Sequence, residues 1–545
     1  MTIDPITLEV IRHGFSAIAE EMNAALIRTG YSPNIKERQD CSCAVFDASG
    51  RMLAQAENIP VHLGAMPFSV ASAIEAFPPS SLAPGDAILV NDPYRGGAHL
   101  PDLTLISPVH RDGEVEGFVA NRAHHADIGG AYAGSIAAEA EEIYQEGLRI
   151  PPVRLYRSGE LEEELLAMIL ANVRATDERR GDLRAQQAAN QTGVSRYSDL
   201  AARHGTDTIR ESTDALLDYA EQRMQAEIDD IPDGTYAFTD VIEDDGKGRE
   251  SLEIHASVTV SDEEIIIDFS GSAEQSSGAI NAVRAVTVSA TYYAIRCITD
   301  PTIPANAGCY RPLEVRTTPG TLVNATPPAA VVGGNLETSQ RIVDVVLGAL
   351  NEALPDRAVA ASQGTMNNLT IGGINPETGM EYAFYETQAG GAGAGSHGDG
   401  QDAVQVHMTN TKNTPIEVLE TAYPCRVQRY ALRPGSGGAG QYRGGLGIRR
   451  DIEIREGTAT VSVLSERRLT RPYGIKGGEA GHAGKDVLID EGESRILPAK
   501  SVHTVSAGTI VSMRTPGGGG YGDKNDRSQK AIERDEQLGK TGSQE

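Results

Sequence analysis

The stretch Asn91–Gly130, NDPYRGGAHLPDLTLISPVHRDGEVEGFVANRAHHADIGG, gathers Asp92, His99, Asp102, His124, His125 and Asp127 into one short interval that holds two glycine pairs. Imidazole and carboxylate donors without a thiolate suit a divalent cation held by three protein ligands with one position open. Two apolar runs, Leu103 to Val109 and Val115 to Ala123, flank Asp112-Gly113, and an Asp-Gly pair between strand-like runs signals a hairpin. With the turn centred there, Arg111 pairs with Glu114. The register then carries Asp102 to face Ala123 or, one residue on, His124. Gly96-Gly97 lets the backbone fold His99 back toward Asp102. A metal site on His99, Asp102 and His124 is the expectation, with His125, Asp127 and Asp92 as candidate catalytic or proton-shuttling groups around it. The competing reading is turn chemistry: Asp before Pro, as in Asp92-Pro93, is a common turn starter.

Apolar residues at Ile6, Val10, Phe15, Ile18, Met22 and Leu26 recur at roughly helical spacing and predict one long amphipathic helix ending near Gly30. Cys41 to Asp47 reads as a strand with Arg51 to Ala56 as its antiparallel partner. His62 sits between apolar neighbours. It is either a hydrogen-bonded core histidine or an active-site position beside the metal. Ala87 to Val90 is a short buried strand that delivers Asn91-Asp92 to the same end as the hairpin. The acidic segment from Ser135 to Gly147 is mostly a solvated helical face, with Glu146 the one carboxylate placed to turn inward. Residues 160–180 and 185–224 are helix-rich and polar, a cover for the first domain.

From Gly234 the texture changes to alternating strands, as in an antiparallel sheet with one wet face. The glycine-rich tract 389–400 carries His397 and Asp399. It is no Walker A loop, since no Gly-Lys-Ser/Thr follows, and it suits a lid or substrate loop with His397 as a substrate-binding residue. Short strands with glycine-rich corners fill the rest. The fold class expected is therefore α+β and multi-domain: an N-terminal metal-binding α/β region over 1–233, a central sheet-and-helix region over 234–430, a small glycine-rich β region over 431–523, and a flexible tail over 524–545.

Composition narrows the partners. At 545 residues the chain has length for two or three cores, and a formal charge of -28 disfavours nucleic acid, a polyanion. Abundant Asp and Glu, scarce Lys and no Trp resemble a surface kept hydrated at high salt, so a halophilic source is expected. Five cysteines, odd in number and without paired zinc spacing, point to a reducing cytoplasmic compartment. No membrane span and no leader are expected.

The blocks NIKERQDCSCAVFD, IPVHLGAM, NDPYRGGAHLPD, NRAHHADIGG, EGLRIPP, PANAGCYRP, YRGGLGIRRD and TPGGGGYGD resemble, in order, the signatures of the hydantoinase B/oxoprolinase family. The resemblance runs from near residue 5 to about residue 523. It implies the B subunit of an ATP-dependent cyclic amide hydrolase, of the N-methylhydantoinase or 5-oxoprolinase type. A partner hydantoinase A-type ATPase subunit, using ATP and magnesium, would phosphorylate the ring carbonyl oxygen in a hetero-oligomer. It also implies one divalent metal, manganese or zinc, because an H-x-x-D motif with a later histidine maps onto His99, Asp102 and His124. Without an ATP-binding domain in this sequence, the chain is expected to be inactive alone. Two alternatives accompany this reading: a subunit of an acetone-carboxylase-like ketone carboxylase, and a non-catalytic assembly subunit.

Overall fold

The computed structural model describes residues 3–56 and 58–542. Seven antiparallel strands form the first sheet: β1 (Cys41–Asp47), β2 (Met52–Ala56), β3 (Ala87–Val90), β4 (Asp102–Arg111), β5 (Glu114–His124), β6 (Val153–Arg157) and β7 (Glu160–Leu161). Their order is β2-β1-β5-β4-β3-β6-β7, so the predicted β4–β5 hairpin lies in the middle. Side chains alternate across a strand, and both faces of this sheet are covered. Cys41, Cys43, Val45, Val119 and Ala123 pack under the helices Pro5–Thr29, Thr176–His204 and Thr206–Asp229. Ala44, Phe46, Phe118 and Ala120 join the larger core that reaches the helices Arg284–Ile298 and Ser339–Ala353. The long N-terminal helix begins where the sequence places it: Asp4 caps it by accepting from Thr7 N at 3.0 Å, with Pro5 in the first turn.

The second sheet, in the order β11-β10-β9-β8, is built from β8 (Gly234–Asp244), β9 (Glu250–Ser261), β10 (Glu264–Asp268) and β11 (Leu313–Arg316). Its β8–β9–β10 run is antiparallel as predicted, and β11 adds in parallel. Nine further strands follow: β12 (Asn368–Ile374), β13 (Glu381–Thr387), β14 (Cys425–Leu432), β15 (Ile448–Ile454), β16 (Thr458–Leu464), β17 (Lys485–Asp490), β18 (Glu493–Ile496), β19 (Lys500–Ser506) and β20 (Ile510–Arg514). They make two sheets, β13-β12-β16-β19 and β14-β15-β20-β17-β18, around a shared apolar core. The mixed α+β architecture is the one expected.

Two local features differ from the sequence reading. Residue 430 lies inside β14, and β12 pairs with β16, so one sheet draws strands from both sides of that expected boundary. Residues 524–542, expected to be a flexible tail, carry the helix Gln529–Gln537, and ion pairs tie the segment down: Arg527–Asp399 at 2.7 Å, Arg443–Asp535 at 3.4 Å and Lys540–Asp402 at 2.7 Å. Residues 543–545 lie outside the described residues. Among the described residues no helix is long and apolar enough to cross a membrane, and all five cysteines are free.

Candidate metal centre

The hairpin register decides what meets at the open end of β4 and β5. Asp112 and Gly113 both take positive φ, +50° and +88°, as a two-residue turn of this hand requires. Arg111 pairs with Glu114 as expected. A bulge between Val109 and His110 then shifts the register by one, and Asp102 faces His124 rather than Ala123. That slip puts both side chains on one face, directly across from each other. His99 joins them through the turn that Gly96 (φ +87°) and Gly97 allow. A Cβ on Gly97 would sit 2.4 Å from the Asn91 carbonyl oxygen. Asn91 pins this turn by donating to the carbonyls of Leu100 (2.8 Å) and Leu148 (2.9 Å) and accepting from Ile150 N (2.6 Å).

The three side chains converge. His99 Nε2 lies 3.0 Å from Asp102 Oδ1 and 3.2 Å from His124 Nδ1, and His124 Nδ1 lies 3.2 Å from Asp102 Oδ1. All three residues are buried, with 0 %, 1 % and 2 % exposure for His99, Asp102 and His124. Burial alone would raise the Asp102 carboxyl, but His99, His62 and His124 outweigh it and hold it well below the ordinary carboxylate range. Burial lowers His124, keeping it in the neutral form a cation needs. The near-equilateral triangle of two imidazole nitrogens and one carboxylate oxygen approximates one face of a divalent cation's coordination shell, whose edges are about 3.3 Å for tetrahedral bonds of ~2.05 Å. The donor set fits a divalent cation.

Residues around the triangle fix its shape. His62 Nε2 lies 3.4 Å from Asp102 Oδ2, and its Nδ1 meets Ser42 Oγ at 3.0 Å, so His62 is a buried, hydrogen-bonded histidine that also adjoins the candidate metal ligands. Arg122, two residues before His124 on the same face, donates to Thr104 Oγ1 (2.9 Å) and Ser69 Oγ (2.8 Å). Burial pushes its guanidinium down to about 10 against the pull of Asp102. Tyr385, on β13, stacks on the His124 ring at 4.8 Å. Its hydroxyl donates to Asn368 Oδ1 (3.0 Å), and Asn368 in turn donates to Glu337 Oε1 (2.7 Å). Tyr385 and Glu337 lie more than two hundred residues along the chain from His124, and nothing in the local sequence pattern marks them as neighbours.

The structure does not bring every expected residue to this point. His125 projects from the opposite face, as strand alternation demands of the residue after His124. Its Nε2 meets Gln186 Oε1 at 2.9 Å on the helix Thr176–His204, and burial pushes it down to about 4. Asp127 organises a loop, accepting from Gly129 N, Gly134 N and Arg174 N at 2.9 Å each and from Arg174 Nη1 at 3.1 Å. Both of its oxygens are engaged in holding this loop. Asp92 accepts from Tyr94 N (3.0 Å) in a 3-10 turn, with Arg149 3.6 Å away, and burial raises its carboxyl. His397 is exposed and lines a separate cavity with Asp300, Arg357 and Asp399. Glu146 does turn inward. It is fully buried and accepts from Val331 N and Val332 N, both at 2.8 Å, and burial pushes it up to about 8. Those two amides open the segment that leads into the helix Ser339–Ala353, and it is a buried carboxyl of the chain itself that they bind.

Within this mixed α+β fold, two histidines and an aspartate that could hold a metal ion converge at the mouth of a central hairpin, and the sequence profile that matches residues 4–524 is that of hydantoinase B/oxoprolinase. The chain belongs to this family. A caprolactamase subunit beta of Pseudomonas jessenii is 34 % identical over 96 % of this chain and 91 % of its own length. A 5-oxoprolinase of Dictyostelium discoideum is 39 % identical over 96 % of this chain, which spans 41 % of that protein. The uncharacterized protein MJ0963 of Methanocaldococcus jannaschii is 43 % identical over 97 % of this chain and 92 % of its own. The crystal structure of the ATP-dependent caprolactamase from Pseudomonas jessenii superposes with a TM-score of 0.94 at 32 % identity, covering 99 % of this chain and 95 % of that one. A nucleotide-free acetone carboxylase shares the fold, with a TM-score of 0.89 at 19 % identity over 99 % of this chain and 78 % of that one.

Proposed function

We propose that this chain is the ring-opening subunit of an ATP-dependent cyclic amide hydrolase, acting with an ATP-binding partner of the hydantoinase A type. The observation that carries the reading is the His99–Asp102–His124 triangle, found in a chain that aligns along nearly its whole length with a caprolactamase beta subunit. A lactam carbonyl is a poor electrophile because nitrogen resonance stabilises it. Phosphorylation of its oxygen by the partner removes that resonance.

In this reading His99, Asp102 and His124 hold a manganese or zinc ion, which when bound would acidify a water at neutral pH. The remaining residues position and insulate. His62, itself held by Ser42, orients the Asp102 carboxylate through its second oxygen. Tyr385 packs against the His124 ring and fixes its plane, and the Asn368–Glu337 pair anchors Tyr385. Arg122 supplies a buried positive charge beside Asp102. His125 and Asp127 serve as positioning residues for the loop that follows β5, and Asp92 caps the turn that leads to His99. A cavity of about 310 Å³ reaches Ser42, the hydroxyl that holds His62, and is walled by Ile59, Pro60 and Tyr293 with the carboxamides of Asn58 and Asn410. Apolar walls with a few amide groups suit a small cyclic amide.

The test is to co-produce the chain with its ATP-binding partner and assay 5-oxoproline, hydantoin and ε-caprolactam. ATP-dependent ring opening without bicarbonate is the expected result. Bicarbonate-dependent consumption of acetone would replace this reading with the carboxylase one. Ring opening that survives His99→Ala and His124→Ala would replace it with an assembly role.

A further inference from the structure

A second pair of chemistry-bearing side chains, absent from the reading above, lies on the far side of the segment that carries His62. His407 Nε2 sits 3.0 Å from Asp344 Oδ1, and the other Asp344 oxygen accepts from Arg467 Nη2 at 3.0 Å. Asp344 is 1 % exposed and His407 8 %. With Nε2–H committed to the carboxylate, the ring is fixed in the tautomer whose lone pair is on Nδ1, and Nδ1 has no hydrogen bond among the described residues. His407 holds a positive φ of +53°, a conformation non-glycine residues rarely adopt. Gly364, at φ +64°, leaves room behind the pair: a Cβ there would lie 2.8 Å from Asp344 Oδ2.

The location is specific. His407 lines a cavity of about 460 Å³ whose wall also includes Pro60, Tyr293, Cys297 and Asn410. Those same four residues line the smaller cavity that ends at Ser42. Val61 N donates to the Met408 carbonyl at 3.3 Å, so the residues next to His62 and His407 are joined through the backbone. Through these shared residues the cavity that reaches Ser42, the hydroxyl bonded to His62, adjoins the cavity lined by His407, the residue Asp344 holds.

We propose that His407, oriented by Asp344, is the proton-transfer residue of ring opening, an inference that rests on the hydrolase reading above. The co-reactants are water and the O-phosphorylated cyclic amide supplied by the partner. As water oxygen bonds to the ring carbon, one proton passes to His407 Nδ1. The C=N π pair moves to nitrogen, which takes that proton from Nδ1. The hydroxyl proton of the adduct then follows the same route, and the C–N bond breaks with its electron pair left on nitrogen. The products are an amine and an acyl phosphate, which a second water converts to carboxylate and inorganic phosphate. If nitrogen is not protonated, the adduct breaks its C–O bond to phosphate instead. The lactam re-forms and the ATP is wasted.

The experiment measures ATP hydrolysed and ring opened together, in the full complex with 5-oxoproline and with ε-caprolactam. His407→Asn is expected to lower ring opening by about 100-fold and to lower ATP turnover much less, so that ATP spent per ring opened rises several-fold. Added imidazole should restore part of the coupling, and Asp344→Asn should raise the same ratio. A folded His407→Asn complex that keeps the wild-type ratio, whatever its rate, overturns the proposal. Should the variants fail to fold, diethyl pyrocarbonate labelling of the wild-type complex decides: His407 must be modified, and protected by the ring that is turned over. Absence of labelling or of protection overturns the proposal. Failure of the wild-type complex to open any ring would instead overturn the hydrolase reading.

Discussion

Replacing Glu146 by glutamine gives a quantitative handle on the loop that follows the candidate metal ligands. The carboxyl is fully buried. One oxygen accepts from Val331 N and Val332 N, and the other has no hydrogen bond among the described residues. Burial pushes it from 4.5 up to about 8 despite those two amides. Below pH 4.5 the carboxyl holds its proton in both folded and unfolded chains. Between 4.5 and 8 the unfolded chain releases the proton while the folded chain keeps it, so stability is lost as pH rises through this window, at about 1.4 kcal/mol per pH unit. The full loss is on the order of 3–5 kcal/mol by pH 8 and levels off above it. Glutamine keeps the acceptor for both amides and has no proton to lose. Its amide NH2 takes the place of the unbonded oxygen, at a pH-independent cost of about 1–3 kcal/mol. Urea denaturation of wild type and Glu146→Gln from pH 5 to pH 9 cancels every other titrating group in the difference. The variant should gain on wild type by several kcal/mol between pH 5 and pH 8.5. A difference constant to within ~1 kcal/mol would mean that the carboxyl is not held neutral and that the burial argument fails.

Asp127→Ala removes an acceptor for four N–H groups and is expected to cost about 2–4 kcal/mol at roughly 1 kcal/mol each; urea denaturation measures it, and a loss under ~0.5 kcal/mol would count against a structural role. Because the three candidate ligands are at most 2 % exposed, removal of a bound metal by EDTA should wait on local opening. Release followed with a chromogenic chelator should be slow and should accelerate in urea below the unfolding midpoint; complete release on mixing would contradict the buried site.

The candidate site was legible in the sequence because its parts are local. An Asp-Gly turn between two apolar runs fixes a hairpin, and strand alternation does the rest. The choice between Ala123 and His124 opposite Asp102 depended on a bulge at Val109–His110, which no residue in the hairpin advertises. His125 shows the converse: adjacent to His124 in sequence, it must point to the other face, a consequence of strand periodicity that a count of nearby histidines overlooks. Tyr385, Glu337 and His407 were out of reach because long-range packing brings them in and no periodicity encodes that. Residues 524–542 read as a frayed tail because they are polar, yet Arg527, Asp535 and Lys540 find partners on the body. The boundary at 430 failed to mark a break because strand pairing, which composition does not report, runs across it.

The central claim is that His99, Asp102 and His124 hold one divalent cation. Elemental analysis of the purified complex, wild type beside Asp102→Asn and His124→Ala, tests it most directly. One manganese or zinc per chain is expected in wild type, with both metal and ring opening lost in variants that remain folded. Variants that retain the metal and open rings at the wild-type rate would contradict it.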